Sequence, residues 1–132
     1  MSGGDDARMN REAIVLIDHG SRRSQANEQL EELAALVRAA RPGATVRTAH
    51  LEIAQPDLAA AIEECASAGA TRIVVHPFFL APGRHTTEDI PRLVVAARER
   101  HPALDIALAA PLGLDERIVS LVLARVDEAP RD

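Results

Sequence analysis

Beyond a polar opening segment, short unbroken apolar runs alternate with longer stretches in which apolar residues recur at helical spacing. Ala13-Ile14-Val15-Leu16-Ile17 is a continuous apolar run of the kind a strand buried on both faces requires. Ser24 to Ala40 carries Leu30, Leu33, Ala34, Val37 and Ala40 at helical spacing, and Arg41-Pro42-Gly43 stops it. Ala44 to Leu51 reads as a second strand, with Val46, Thr48 and His50 on one face and Thr45, Arg47, Ala49 and Leu51 on the other. A second helix runs from Asp57 to Ala68 on Leu58, Ile62 and Cys65, and Gly69 ends it. Arg72 to His76 is the third strand, closed by Pro77.

Leu80 to Ile90 is expected to be a loop, followed by a helix that Pro91 opens, because proline is tolerated at the first helical position. Leu93, Val94 and Ala97 form the buried stripe of that helix, and His101-Pro102 ends it. Asp105 to Ala109 is the fourth strand, and Ile118, Leu121, Val122 and Val126 line a final helix. Four βα units without a linker predict one α/β domain over residues 13–128: a three-layer, doubly wound, mostly parallel four-stranded sheet covered on both faces. Residues 1–12 are polar and Gly/Asp-rich and are expected to form a disordered tail.

Composition narrows the chemistry. The 132 residues are 47% apolar and 27% charged, with a net charge of −5, and every basic residue is Arg. The absence of lysine excludes a Schiff-base enzyme, a Walker-type phosphate loop and a lysine nucleophile. With no Trp or Tyr, only Phe78 and Phe79, and an acidic balance, no nucleic-acid partner is expected. The single Cys65 excludes an intrachain disulfide and two-Cys zinc motifs. No apolar run approaches the roughly 20 residues that span a bilayer, and the opening segment lacks the core of a signal peptide. A cytoplasmic protein without a membrane partner is the expectation.

Ligands of open parallel sheets bind beyond the carboxyl ends of the strands. Three such ends carry His19, Glu52 and His85. Two imidazoles and a carboxylate hold a borderline divalent metal or move protons near neutral pH. Each also has a plainer reading: His19-Gly20-Ser21 as a turn, Glu52 as a solvated carboxylate, His85 as a loop histidine. A phosphatase with a strand-end histidine nucleophile fits poorly, since Asp18 stands where a phosphate-binding Arg is wanted. Phe78, Phe79 and Leu80, beside Pro82-Gly83-Arg84-His85, place apolar surface next to polar groups, as in a pocket wall. His50 shares a strand face with Glu52 and is either a support of the site or, the preferred reading, structural; His76 and Cys65 also read first as structural.

These loops resemble the signatures of the small sirohydrochlorin chelatases of the CbiX/SirB type. His19-Gly20-Ser21-Arg22 with Ala26-Asn27 looks like the first, and Ala49-His50-Leu51-Glu52-Ile53-Ala54 with Pro56 is similar to the second. Pro77-Phe78-Phe79-Leu80, then Pro82-Gly83-Arg84-His85 and Asp89-Ile90-Pro91, looks like the third, and Ala110-Pro111-Leu112-Gly113 like a fourth. The resemblance runs from about Ile14 to Val126. Asp18 departs from the pattern, where a small residue is usual; it either tunes His19 or points away into the fold.

The resemblance implies a lyase that inserts a divalent metal into sirohydrochlorin, with no permanently bound cofactor and with Fe2+, Co2+ or Ni2+ as substrate. It carries the catalytic and metal-handling roles to His19, Glu52 and His85. Ser21, Arg22, Asn27, Phe79, Leu80, Gly83 and Arg84 become candidates for holding the macrocycle. Fe2+ and sirohaem synthesis are favoured by the wording of the third signature. A cobalt or nickel enzyme of the cobalamin or a related route, or a carrier without turnover, are the alternatives. Chelatases of this fold bind the macrocycle between two lobes; one chain of 132 residues supplies one lobe, so a homodimer is expected.

Overall fold

The computed structural model describes residues 11–81 and 83–131, with residues 84–86 described by their backbone alone. Eight elements follow in strict alternation: β1 (Glu12–Asp18), α1 (Ser24–Ala40), β2 (Thr45–His50), α2 (Leu58–Ser67), β3 (Arg72–Pro77), α3 (Arg84–Arg100), β4 (Asp105–Leu108) and α4 (Glu116–Glu128). All strand pairs are parallel and the sheet order is β2-β1-β3-β4. Of the expected tail, residues 1–10 lie outside the described residues. Its end is not tail: Arg11 O accepts from Thr71 N and Arg72 N, and Glu12 already pairs with Arg72 in the sheet.

Strand alternation divides the core in two. Ala13, Val15 and Ile17 of β1, with Ile73, Val75 and Ile106, face α2 and α3, which contribute Leu58, Ile62, Cys65, Ile90 and Val94. Leu16 and Val46 point the other way, onto Leu30 and Ala34 of α1. Cys65 is fully buried, and burial pushes its thiol up to about 11, which leaves it a packing residue.

Two expectations need correction. The third helix begins at Arg84, so the supposed loop from Leu80 to Ile90 is helical over most of its length and Pro91 lies inside the helix. Gly83 is the extended cap residue, and its carbonyl accepts from both Thr87 N and Thr87 Oγ1. An interior proline costs a helix about 3 kcal/mol. Burial of Ile90, Val94 and Ala97 on one stripe across Pro91 offsets that cost, because each buried apolar side chain contributes about 1.5–3 kcal/mol.

The final helix forms where expected, but its apolar residues are not buried. Asp115 caps it: Oδ1 accepts from Arg117 N, and Arg117 Nε and Nη2 grip both carboxylate oxygens. That grip holds the Asp115 carboxyl well below the usual carboxylate range. On the side of β3 and β4 away from α2 and α3, Val74, His76 and Ala107 are accordingly only half-buried.

His76 Nδ1 donates to Ala110 O at 3.2 Å. Burial lowers the His76 pKa from its ordinary 6.5, against the opposing effect of that hydrogen bond. The unfolded chain therefore takes up this proton at a higher pH than the native one. The contribution of the neutral ring is complete above pH 6.5 and is lost as pH falls through the lower native value. His76→Asn keeps a donor near Nδ1 without a titrating ring. Between about pH 7.5 and about pH 5 its thermal midpoint should fall less than that of the native chain; parallel slopes in a pH series would contradict this.

Candidate functional site

The strand order reverses direction between β1 and β3, the place where open parallel sheets gather their ligands. Past the paired positions Asp18 and His50, the β1–β2 ladder runs on: Leu51 N donates to Asp18 O at 2.8 Å and Glu52 N to His19 O at 3.1 Å. His19 and Glu52 therefore leave the sheet side by side. Their side chains approach to 3.9 Å (Nδ1 to Oε1), and both are more than half exposed. Phe78 N donates to Ile17 O, which extends β1–β3 and brings Phe79 edge-on to the His19 ring at 5.8 Å between centroids. Glu52 also begins a tight turn, since Ala54 N donates to Glu52 O across Ile53, whose φ is +75°. A β-branched residue in that region is strained by about 1–3 kcal/mol, and such strain gathers at functional sites.

Asp18 is not aimed at the His19 ring. Its Oδ1 accepts from Gly20 N at 3.0 Å and from His50 Nδ1 at 2.5 Å, and His50 is only 3% exposed. Of the two readings left open by the sequence, the one that points Asp18 into the fold is therefore the observed one.

A cavity of about 580 Å³ opens beside the His19–Glu52 pair, lined by His19, Leu51, Glu52, Asp89, Arg92 and Leu93. The last three belong to α3 and were not among the site candidates: Asp89 was expected in a loop, and Leu93 on the buried stripe of the helix. The signal was present: Asp89 and Arg92 stand at i and i+3, and they form an ion pair at 3.4 Å on the helix surface.

The remaining candidates divide. Ser21 and Asn27 hold each other, through Ser21 N to Asn27 Oδ1 at 3.0 Å and Asn27 Nδ2 to Ser21 O at 2.7 Å, while Ser21 Oγ accepts from Arg23 N. They shape the turn after His19. Arg22 is exposed on the same turn, and Leu80 is 55% exposed after Phe79. Gly83 caps α3, and the backbones of Arg84 and His85 form its first positions. The Arg84 and His85 side chains lie outside the described residues. Among the described residues no three metal-donor side chains gather, and His19 and Glu52 are the two candidate metal-handling side chains that lie together.

An imidazole and a carboxylate at this spacing, open to solvent and backed by an aromatic ring, can hold a divalent cation or pass protons between a ligand and water. Comparison with known proteins gives the family. The CbiX family model matches residues 13–129. The chain is 37% identical over 115 residues to the chloroplastic sirohydrochlorin ferrochelatase of Arabidopsis thaliana, covering 87% of this chain and 51% of the relative. It is 33% identical over 137 residues to the sirohydrochlorin cobaltochelatase of Methanopyrus kandleri, covering 89% of this chain and 96% of that one. The solved structure of the sirohydrochlorin chelatase SirB from Bacillus subtilis subspecies spizizenii, in complex with cobalt, superposes with a TM-score of 0.82 at 30% identity, over 89% of this chain and 50% of SirB. The chain thus spans about half the length of the plant and Bacillus relatives. With the family's match running through all four strands and their helices, this chain belongs to the CbiX family.

Proposed function

We propose that this chain is a sirohydrochlorin chelatase, a lyase that inserts Fe2+ into the macrocycle for sirohaem synthesis. The observation that carries the reading is the His19–Glu52 pair, 3.9 Å apart at the mouth of the cavity between the carboxyl ends of β1 and β2 and helix α3. Metallation removes two pyrrole protons and strips water from the ion. His19 supplies a nitrogen that holds the ion or takes a proton, and Glu52 offsets the incoming positive charge. Phe79, edge-on to His19, and the exposed Leu80 offer apolar surface to the macrocycle plane. Arg92 lines the cavity and Arg22 is exposed on the turn after His19; their guanidinium groups, with that of Arg84, suit the peripheral carboxylates of the substrate, and His85 is assigned a metal-handling role beside His19 and Glu52. Metal and macrocycle are both substrates in this reading, and no resident cofactor is assigned.

Co2+ insertion is the second reading. It is favoured by the archaeal relative whose length this chain covers to 96%, and which is named a cobaltochelatase. We assign the reaction to the cytoplasm, on the lone buried cysteine; no described helix is long and apolar enough to cross a membrane. The working unit in this proposal is a homodimer, supported by the uncovered face of α4.

Purified protein incubated with sirohydrochlorin and Fe2+, Co2+ or Ni2+ should shift the macrocycle spectrum, fastest with Fe2+. His19→Ala and Glu52→Gln should each slow turnover by about a hundredfold. Native rates in both variants would overturn the site assignment. Macrocycle binding without a metal-dependent spectral change would instead favour a carrier.

A further inference from the structure

Asp18 and His50 are directly paired across β1 and β2, on the sheet face that α1 covers. Neither lines the cavity, and no hydrogen bond joins Asp18 to the His19 ring among the described residues. A buried imidazole needs a partner, and His50 has one in Asp18 Oδ1. A carboxylate oxygen only accepts, so Nδ1 is the donor in this bond. The same oxygen accepts from Gly20 N, so one atom ties the end of β2 to the turn that carries His19.

That turn is closed from the other side as well. A Cβ on Gly20 would stand 1.9 Å from Glu52 O and 3.2 Å from His50 Cβ, so the backbone after His19 lies directly against the backbone of Glu52. Glu52 N returns a hydrogen bond to His19 O. The contacts form a circuit: Asp18 to His50, Asp18 to Gly20, Gly20 against Glu52, Glu52 to His19.

We infer that the Asp18–His50 pair is a positioning device that sets the separation of the His19 and Glu52 side chains, and through it the affinity of that pair for a divalent cation. The inference rests on the reading of His19 and Glu52 as the metal-handling residues. The pair acts through backbone and touches neither substrate. Groups that orient metal-binding side chains in this way are worth about 10- to 100-fold in metal affinity when removed.

Co2+ titrated into the metal-free protein, with thermal midpoints and steady-state constants measured in parallel, tests it. Asp18→Ala and His50→Leu should weaken Co2+ binding about tenfold or more, and leave KM for sirohydrochlorin unchanged. His50→Asn, whose side-chain amide replaces the Nδ1 donor, should restore affinity to within about threefold of the native value. Native Co2+ affinity in folded Asp18→Ala or His50→Leu overturns the inference. So does a His50→Asn loss as large as that of His50→Leu, which would make the ring's packing responsible and not its bond. If Asp18→Ala does not fold, the two His50 variants carry the test. His19→Ala separates the two levels: if it too binds Co2+ normally, the site reading fails and takes the positioning role with it. If His19→Ala loses Co2+ while Asp18→Ala keeps it, only the positioning role falls.

Discussion

Gly20→Ala is expected to abolish the proposed metal insertion and to lower stability by about 3–5 kcal/mol, making it the most damaging single-methyl change in the candidate site. The residue has a φ of +92°, and the added Cβ would meet Glu52 O at 1.9 Å. The obstructing atom is backbone, so no side-chain rotation relieves the contact. A left-handed conformation adds about 1–2 kcal/mol for any residue with a Cβ. Relief requires the turn after β1 to move away from Glu52, which breaks the bond from Glu52 N to His19 O and separates the His19–Glu52 pair. Gly43→Ala is the matched control, because nothing lies within 4 Å of its Cβ position. Calorimetry should show the midpoint of Gly20→Ala down by about 10 °C or more, with Gly43→Ala close to native. A Gly20→Ala enzyme with native midpoint and turnover would refute the close approach.

The second large effect concerns assembly. Light scattering should return twice the 14.1 kDa chain mass, and Val122→Glu with Val126→Glu should reduce it to one chain. Helix α4 has no buried residue, and Val119, Leu121, Val122, Leu123 and Val126 are 48–60% exposed. Val122 and Val126, one helical turn apart, lie near the middle of this broad face. A monomer rarely leaves so much contiguous apolar surface in water.

A second copy is the occupant that accounts for it. The same chain leaves Val74, His76 and Ala107 of β3 and β4 half-buried, on the sheet side that α1 covers only over β1 and β2. Helix α4 of one copy can therefore cover the open β3–β4 face of the other, and a two-fold axis repeats the contact. It also agrees with the length relation: this chain superposes on 50% of the Bacillus enzyme, so two copies supply as many lobes. Turnover in the double variant should fall together with its mass. A native chain that is monomeric and fully active would remove the homodimer from the proposal and leave the α4 face to a different partner.

How much of this was legible beforehand differs from element to element. The strands and the first two helices could be read from local spacing, because burying one face of a helix or both faces of a strand imposes a period on the chain itself. Pro91 misled because proline at a helix start is a local rule. The helix begins at Arg84 because Ile90, Val94 and Ala97 must all reach the same core. His19 and Glu52 could be picked out as strand-end residues, and their signatures connected them to a family before any distance was known. The Asp89–Arg92 pair was missed because Asp89 was read in a loop and only Arg92 on the helix, so their i, i+3 relation did not register. The apolar stripe of α4 was visible in the sequence, but periodicity records that a face is apolar and not what covers it.

The sequence by itself determined the alternation of elements, the three strand ends that carry His19, Glu52 and His85, and the resemblance the loops bear to the chelatases. All three are written in residues close together along the chain. Only the tertiary structure decided that β1 lies between β2 and β3, which brings Phe79 against His19 from 60 positions away. It also directed Asp18 to His50, 32 residues distant, and not to its neighbour His19. And it left the apolar residues of α4 unburied among the described residues. These are pairings between segments separated in sequence. Their energies depend on which surfaces meet after the chain has folded, and no local pattern encodes that.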